Sequence, residues 1–137
     1  MKTKIYPANY KNLAFISQFV TEEAEKAGFS PADIYAIQTA VDEACSNIID
    51  HAYGGENLGD IKIKFKNLKS KIQIILIDQG TPFNLEDVPD PDITSPLENR
   101  KERGLGVFFM RNLMDKILFS PSTDEGNILT MEKHKGD

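Results

Sequence analysis

The chain has 137 residues, expected to form one domain over 1–137, and a chain near this size hides roughly two-thirds of its unfolded surface. Its 21 acidic against 16 basic residues give a net charge of −5, which disfavours direct nucleic-acid binding, and no apolar run approaches the roughly 20 residues of a membrane span. One cysteine, Cys45, excludes an internal disulfide, two histidines argue against a His-rich zinc site, and the N-terminus lacks the apolar run of a secretory signal, so a cytoplasmic protein is expected.

From about Tyr10 to Ala27, Leu13, Ile16, Val20, Ala24 and Ala27 recur at three- and four-residue steps and predict a helix ending at Gly28. Ser30-Pro31 starts a second helix, with Ser as N-cap and Pro at the first position. Its apolar stripe is Ile34, Ile37, Val41, Ala44 or Cys45, and Ile48, and Gly54-Gly55 ends it. The period then changes to two. Ile61, Ile63 and Phe65 alternate with lysines as a half-exposed strand, and Asn67 to Ser70 form a hairpin turn. The strand Lys71 to Asp78 is apolar on both faces toward its end, which places it centrally. Asp78 shares the parity of Ile72, Ile74 and Leu76 and should point into the core layer, where a carboxylate needs a partner. Gly80 to Glu102, with four prolines, reads as a long binding loop or lid. A third helix is expected over Val107 to Ile117, then a strand, a turn over Ser122 to Asn127, and a last strand over Ile128 to His134. The order predicts an α+β fold, a two-layer sandwich with helices on one face of a mostly antiparallel mixed sheet.

Three constellations carry chemistry. On the second helix, Glu43, Asn47 and either Asp50 or His51 line one side. A carboxylate there is suited to take a proton from a hydroxyl, and an amide oxygen to hold Mg²⁺. At the end of the central strand, Asp78-Gln79-Gly80-Thr81-Pro82-Phe83 offers an inward acceptor for a base amino group, or an Asp that merely starts a turn. Arg103-Gly104-Leu105-Gly106 opens a helix whose free N–H groups and dipole favour an anion.

In this order the three segments resemble the nucleotide-binding boxes of the Bergerat-fold ATPases. Ala40 to Gly55 is similar to the N box, Asp78-x-Gly80-x-Pro82-Phe83 to the first glycine box, and Arg103 to Gly106 followed by Val107 to Arg111 to the second. The His-Ala-Tyr-Gly-Gly ending and the Pro-Phe after Asp-x-Gly resemble most the anti-sigma-factor serine/threonine kinases of bacterial partner switching. The resemblance implies ATP and Mg²⁺ as cofactors and Glu43 as the general base for a substrate hydroxyl. It implies Asn47 as the Mg²⁺ ligand, Asp78 as acceptor of the adenine amino group, Gly80 as the point of close nucleotide approach, and Arg103, Gly104, Leu105 and Gly106 around the phosphates. It also implies an anti-sigma-factor antagonist as phosphorylation substrate, a sigma factor as second partner, and a homodimer. One departure is visible. Many relatives carry Gly-Thr-Thr near the last strand, where a threonine helps bind adenine through water, and here the residues are Gly126-Asn127-Ile128. Asn127 keeps hydrogen-bonding capacity and Ile128 does not. The competing expectation is a non-catalytic module in which ATP only gates protein binding. A histidine-kinase catalytic domain is disfavoured because nothing upstream of Tyr10 has room for a phosphoacceptor hairpin.

Overall fold

A computed structural model describes residues 1–83 and 110–136. Five strands form one sheet in the order β1-β2-β3-β5-β4, and every pairing among them is antiparallel. β1 covers Lys2–Pro7, β2 Asp60–Asn67, β3 Lys71–Asp78, β4 Lys116–Thr123 and β5 Gly126–His134. Two long helices, α1 (Leu13–Lys26) and α2 (Pro31–Asn47), pack on each other and on one sheet face.

Each helix buries the stripe its sequence marks. Ile16, Val20 and Ala24 of α1 meet Ile37, Val41, Ala44 and Cys45 of α2 in one core, joined from the sheet by Ile61, Ile63, Phe65, Ile72, Ile74 and Leu76. Ser30 caps α2 by accepting from the Asp33 N–H at 3.2 Å, and Pro31 follows at the first helical position, where its missing N–H costs nothing. Burial of Met110 and Met114 shows both methionines packing in that core.

Three features differ from the sequence reading. First, α2 does not run as an α-helix to Gly54: after Asn47 the chain widens into a π-helical turn, Ile48–Tyr53, closed by Gly54 in the left-handed region at φ 76°. Second, the expected third helix is helical over 110–113 and gives way to β4 at Lys116, while the expected turn over Ser122 to Asn127 contracts, with β4 running to Thr123 and β5 starting at Gly126. Third, β1 is an additional edge strand. Its core-facing positions, set by the pairs Lys2↔Phe65, Lys4↔Ile63 and Tyr6↔Ile61, are two lysines and a tyrosine. Lys2 pairs with the buried Glu23 at 3.1 Å and Lys4 lies over the Phe19 ring, so this rim of the core is closed by cations and aliphatic stems.

Candidate functional site

β3 ends in the middle of the sheet, between β2 and β5, and delivers Asp78 to its helix-covered face. Asp78 is 4% exposed. Two donors hold it: the Gly80 N–H at 2.9 Å and the Asn127 Nδ2 at 2.9 Å. Both converge on Oδ1, and among the described residues none reaches Oδ2. Burial raises the pKa of Asp78 above the usual carboxylate value, and the Asn127 and Gly80 donors work against that rise.

The strand end is clamped to the end of the π-helical turn. The Thr81 N–H donates to the Ala52 carbonyl at 2.7 Å. The Tyr53 hydroxyl accepts from the Gln79 N–H at 2.9 Å and donates to the Asp60 carbonyl at 2.6 Å, which ties β2, β3 and the turn together. Gly80 is required by this contact: a Cβ there would lie 2.5 Å from both the carbonyl carbon and the oxygen of Ala52. The structure thus gives Gly80 a role within the protein itself.

Glu43 and Asn47 lie on α2 in the turns that lead into this clamp. Asn47 is buried at 6% exposure, and its Nδ2 has no hydrogen-bond partner among the described residues. An enclosed amide without a partner is costly. A half-turn of the amide exchanges its nitrogen and oxygen, so the same position is able to present an oxygen ligand to a cation. On that observation the residue fits the Mg²⁺ the sequence implies. Among the described residues no three His, Cys, Asp or Glu side chains gather into a metal cage.

The widened turn decides between Asp50 and His51. Asp50 is exposed and accepts a hydrogen bond from the Tyr10 hydroxyl. His51 packs edge-on against Phe83, ring centroids 5.7 Å apart, and Phe83 in turn lies 5.9 Å from Phe119. His51 is therefore the one that shares the side of the Asp78–Phe83 segment. Cys45 is fully buried, and burial together with the nearby Asp42 charge pushes its thiol well up, consistent with a small core residue rather than a nucleophile. Arg103, Gly104, Leu105 and Gly106, and most of the proposed lid, lie outside the described residues.

Three roles escape sequence reasoning. Tyr53 lies inside the His-Ala-Tyr-Gly-Gly motif, but nothing local says that its hydroxyl bridges two strands. Asn127 meets Asp78 only through the cross-strand register Asp78↔Asn127. Asp42, next to Glu43, is half-buried with its pKa raised to about 6, first by burial and then by the Glu43 charge.

Comparison with known proteins supplies the remaining findings. The sequence profile of a family described as "Histidine kinase-like ATPase domain" matches residues 6–133. The chain is 36% identical over 132 residues to the serine-protein kinase RsbW of Bacillus cereus (strain AH187), covering 93% of this chain and 81% of that protein. RsbW of Bacillus anthracis matches with the same identity and coverage. Among solved structures, the catalytic domain of the histidine kinase ThkA superposes with a TM-score of 0.56 at 21% identity, over 98% of this chain and 99% of that one. At that identity the likeness establishes the shared fold.

Proposed function

Since the chain belongs to the histidine kinase-like ATPase family, we propose that it is a serine/threonine protein kinase that transfers phosphate from ATP to a small anti-sigma-factor antagonist and, as its second activity, sequesters a sigma factor. The observation that carries the reading is the buried Asp78 carboxylate, held by two donors on one oxygen and by none of the described residues on the other, at the strand end against which the N-box helix closes. A half-satisfied buried carboxylate is suited to a ligand donor such as the adenine amino group.

Glu43 takes the proton from the attacking serine or threonine hydroxyl as its oxygen bonds to the γ-phosphorus and the bond from that phosphorus to the β–γ bridging oxygen breaks, releasing ADP. Asn47 is the residue that would hold Mg²⁺; bound there, the cation supplies charge neutralisation to the phosphates. Arg103, Gly104, Leu105 and Gly106 surround the phosphates in this proposal, on the strength of their sequence motif. Similarity to RsbW supports the hydroxyl acceptor. The antagonist, the sigma factor and assembly as a homodimer are part of this proposal, supported by the resemblance of the Ala40 to Gly55 and Asp78 to Phe83 motifs to the partner-switching kinases.

Incubation with labelled ATP, Mg²⁺ and a candidate antagonist tests the proposal. Label stable to acid on a serine or threonine of the antagonist is expected. If ATP changes the affinity for a partner while no label is transferred to any antagonist, the chain is an ATP-gated binding module instead.

A further inference from the structure

We propose that Asn127 is a positioning residue for nucleobase recognition: by holding Oδ1 of Asp78 it commits the other oxygen, Oδ2, to the ligand. This rests on the nucleotide-binding reading of Asp78. Asn127 is 3% exposed, and every polar group of its amide has a defined partner. Its Oδ1 accepts from the Ser122 N–H at 3.0 Å. Its Nδ2 donates to the Gly80 carbonyl at 2.9 Å and to Asp78 Oδ1 at 2.9 Å. A backbone N–H only donates and a backbone carbonyl only accepts, so the two ends of the amide cannot exchange. Ser122 itself is a non-glycine residue at φ 55°, beside an irregularity in the β4–β5 register that aims its N–H at the amide.

Two consequences follow from the hydrogen count. Both Nδ2 hydrogens are consumed within the protein, so Asn127 has none to give to a base or to a bridging water. This departs from the threonine–water arrangement of relatives. In addition, Asp78 Oδ1 already receives two N–H donors, so a proton added to this carboxyl must sit on Oδ2. Ionised, Asp78 presents an acceptor to the ligand; protonated, it presents a donor. Recognition of a 6-amino group therefore requires the ionised form and weakens as pH falls through the Asp78 pKa. On the packed elements, the Tyr53 phenol of the π-helical turn feels Asp78, and Asp60 of β2 acts on that same phenol. β5 brings only the neutral Asn127 to the carboxylate.

The test uses Asn127→Leu, which removes both donors, and Asn127→Thr, which keeps one, in the full chain. Carbon-13 NMR follows the Asp78 carboxyl titration without nucleotide, with Asp78→Asn for assignment. Calorimetry compares ATP with purine riboside triphosphate, which lacks only the 6-amino group. Asp78 should titrate at higher pH in Asn127→Leu and at most partway there in Asn127→Thr, and the preference for ATP should shrink roughly tenfold or more in Asn127→Leu. An unchanged titration in folded Asn127→Leu overturns the proposal, as does a shifted titration there with an unchanged ATP preference. If the wild-type protein binds neither nucleotide, the kinase reading fails, and the Asp78 titration alone decides whether Asn127 holds the carboxylate.

Discussion

Gly80→Ala separates two physical accounts by sign. The backbone at Gly80 lies outside the left-handed region, so alanine there meets no conformational penalty. If space were open, alanine would stabilise the protein by about 0.4–1 kcal/mol through a less flexible unfolded chain. Space is not open: the added Cβ would sit 2.5 Å from the Ala52 carbonyl carbon and oxygen and 2.9 Å from its Cβ. Carbon contacts are comfortable at about 3.5–4.0 Å, so the strand end must retreat by about 1 Å. That retreat stretches the 2.7 Å Thr81–Ala52 hydrogen bond past the useful range. Overpacking costs about 1–3 kcal/mol and the lost bond about 1 kcal/mol more, so a net loss near 2–3 kcal/mol is expected. At this chain length that lowers Tm by about 6–12 °C in calorimetry. Nucleotide affinity should fall as well, because the Gly80 N–H and carbonyl both belong to the Asp78–Asn127 corner. A variant as stable as the wild type, or more so, would refute the clamp between strand end and helix end.

Asn47→Leu should leave the nucleotide-free protein as stable or up to about 2 kcal/mol more stable, since it removes the unpartnered buried amide, yet Mg²⁺-dependent ATP binding should disappear; differential scanning and titration calorimetry read the two effects. Asp42→Asn should raise stability at pH 7.5 and not at pH 3.5. The folded pKa of about 6 exceeds the ordinary 3.8, so the native state binds more protons between those values and loses stability as pH rises through them. With the carboxylate half-buried and partly screened, the gain at pH 7.5 should be about 1 kcal/mol by urea unfolding at the two pH values.

The helices and central strands were legible because their apolar spacing is also their burial pattern: Ile72, Ile74 and Leu76 are all buried, and Asp78 follows their parity into the same layer. β1 was not, because its core-facing side is Lys2, Lys4 and Tyr6, a pattern that reads as solvated until Glu23 and Phe19 are placed opposite. The π-helical turn was hidden for a different reason. Its residues suit an α-helix equally well, and only the backbone widening turns Asp50 toward Tyr10 and His51 toward Phe83. The role of Asn127 depends on a register between strands far apart in sequence, and that of Gly80 on a helix end that local spacing cannot position.

Phosphoryl transfer with Glu43 as base stands or falls on one paired measurement on Glu43→Ala. Affinity for Mg²⁺–ATP should stay near that of the wild type, while transfer of labelled phosphate to the antagonist should fall by roughly 10²–10⁴-fold, the usual worth of a positioned base. Transfer at the wild-type rate by Glu43→Ala, with ATP affinity unchanged, would contradict the assignment.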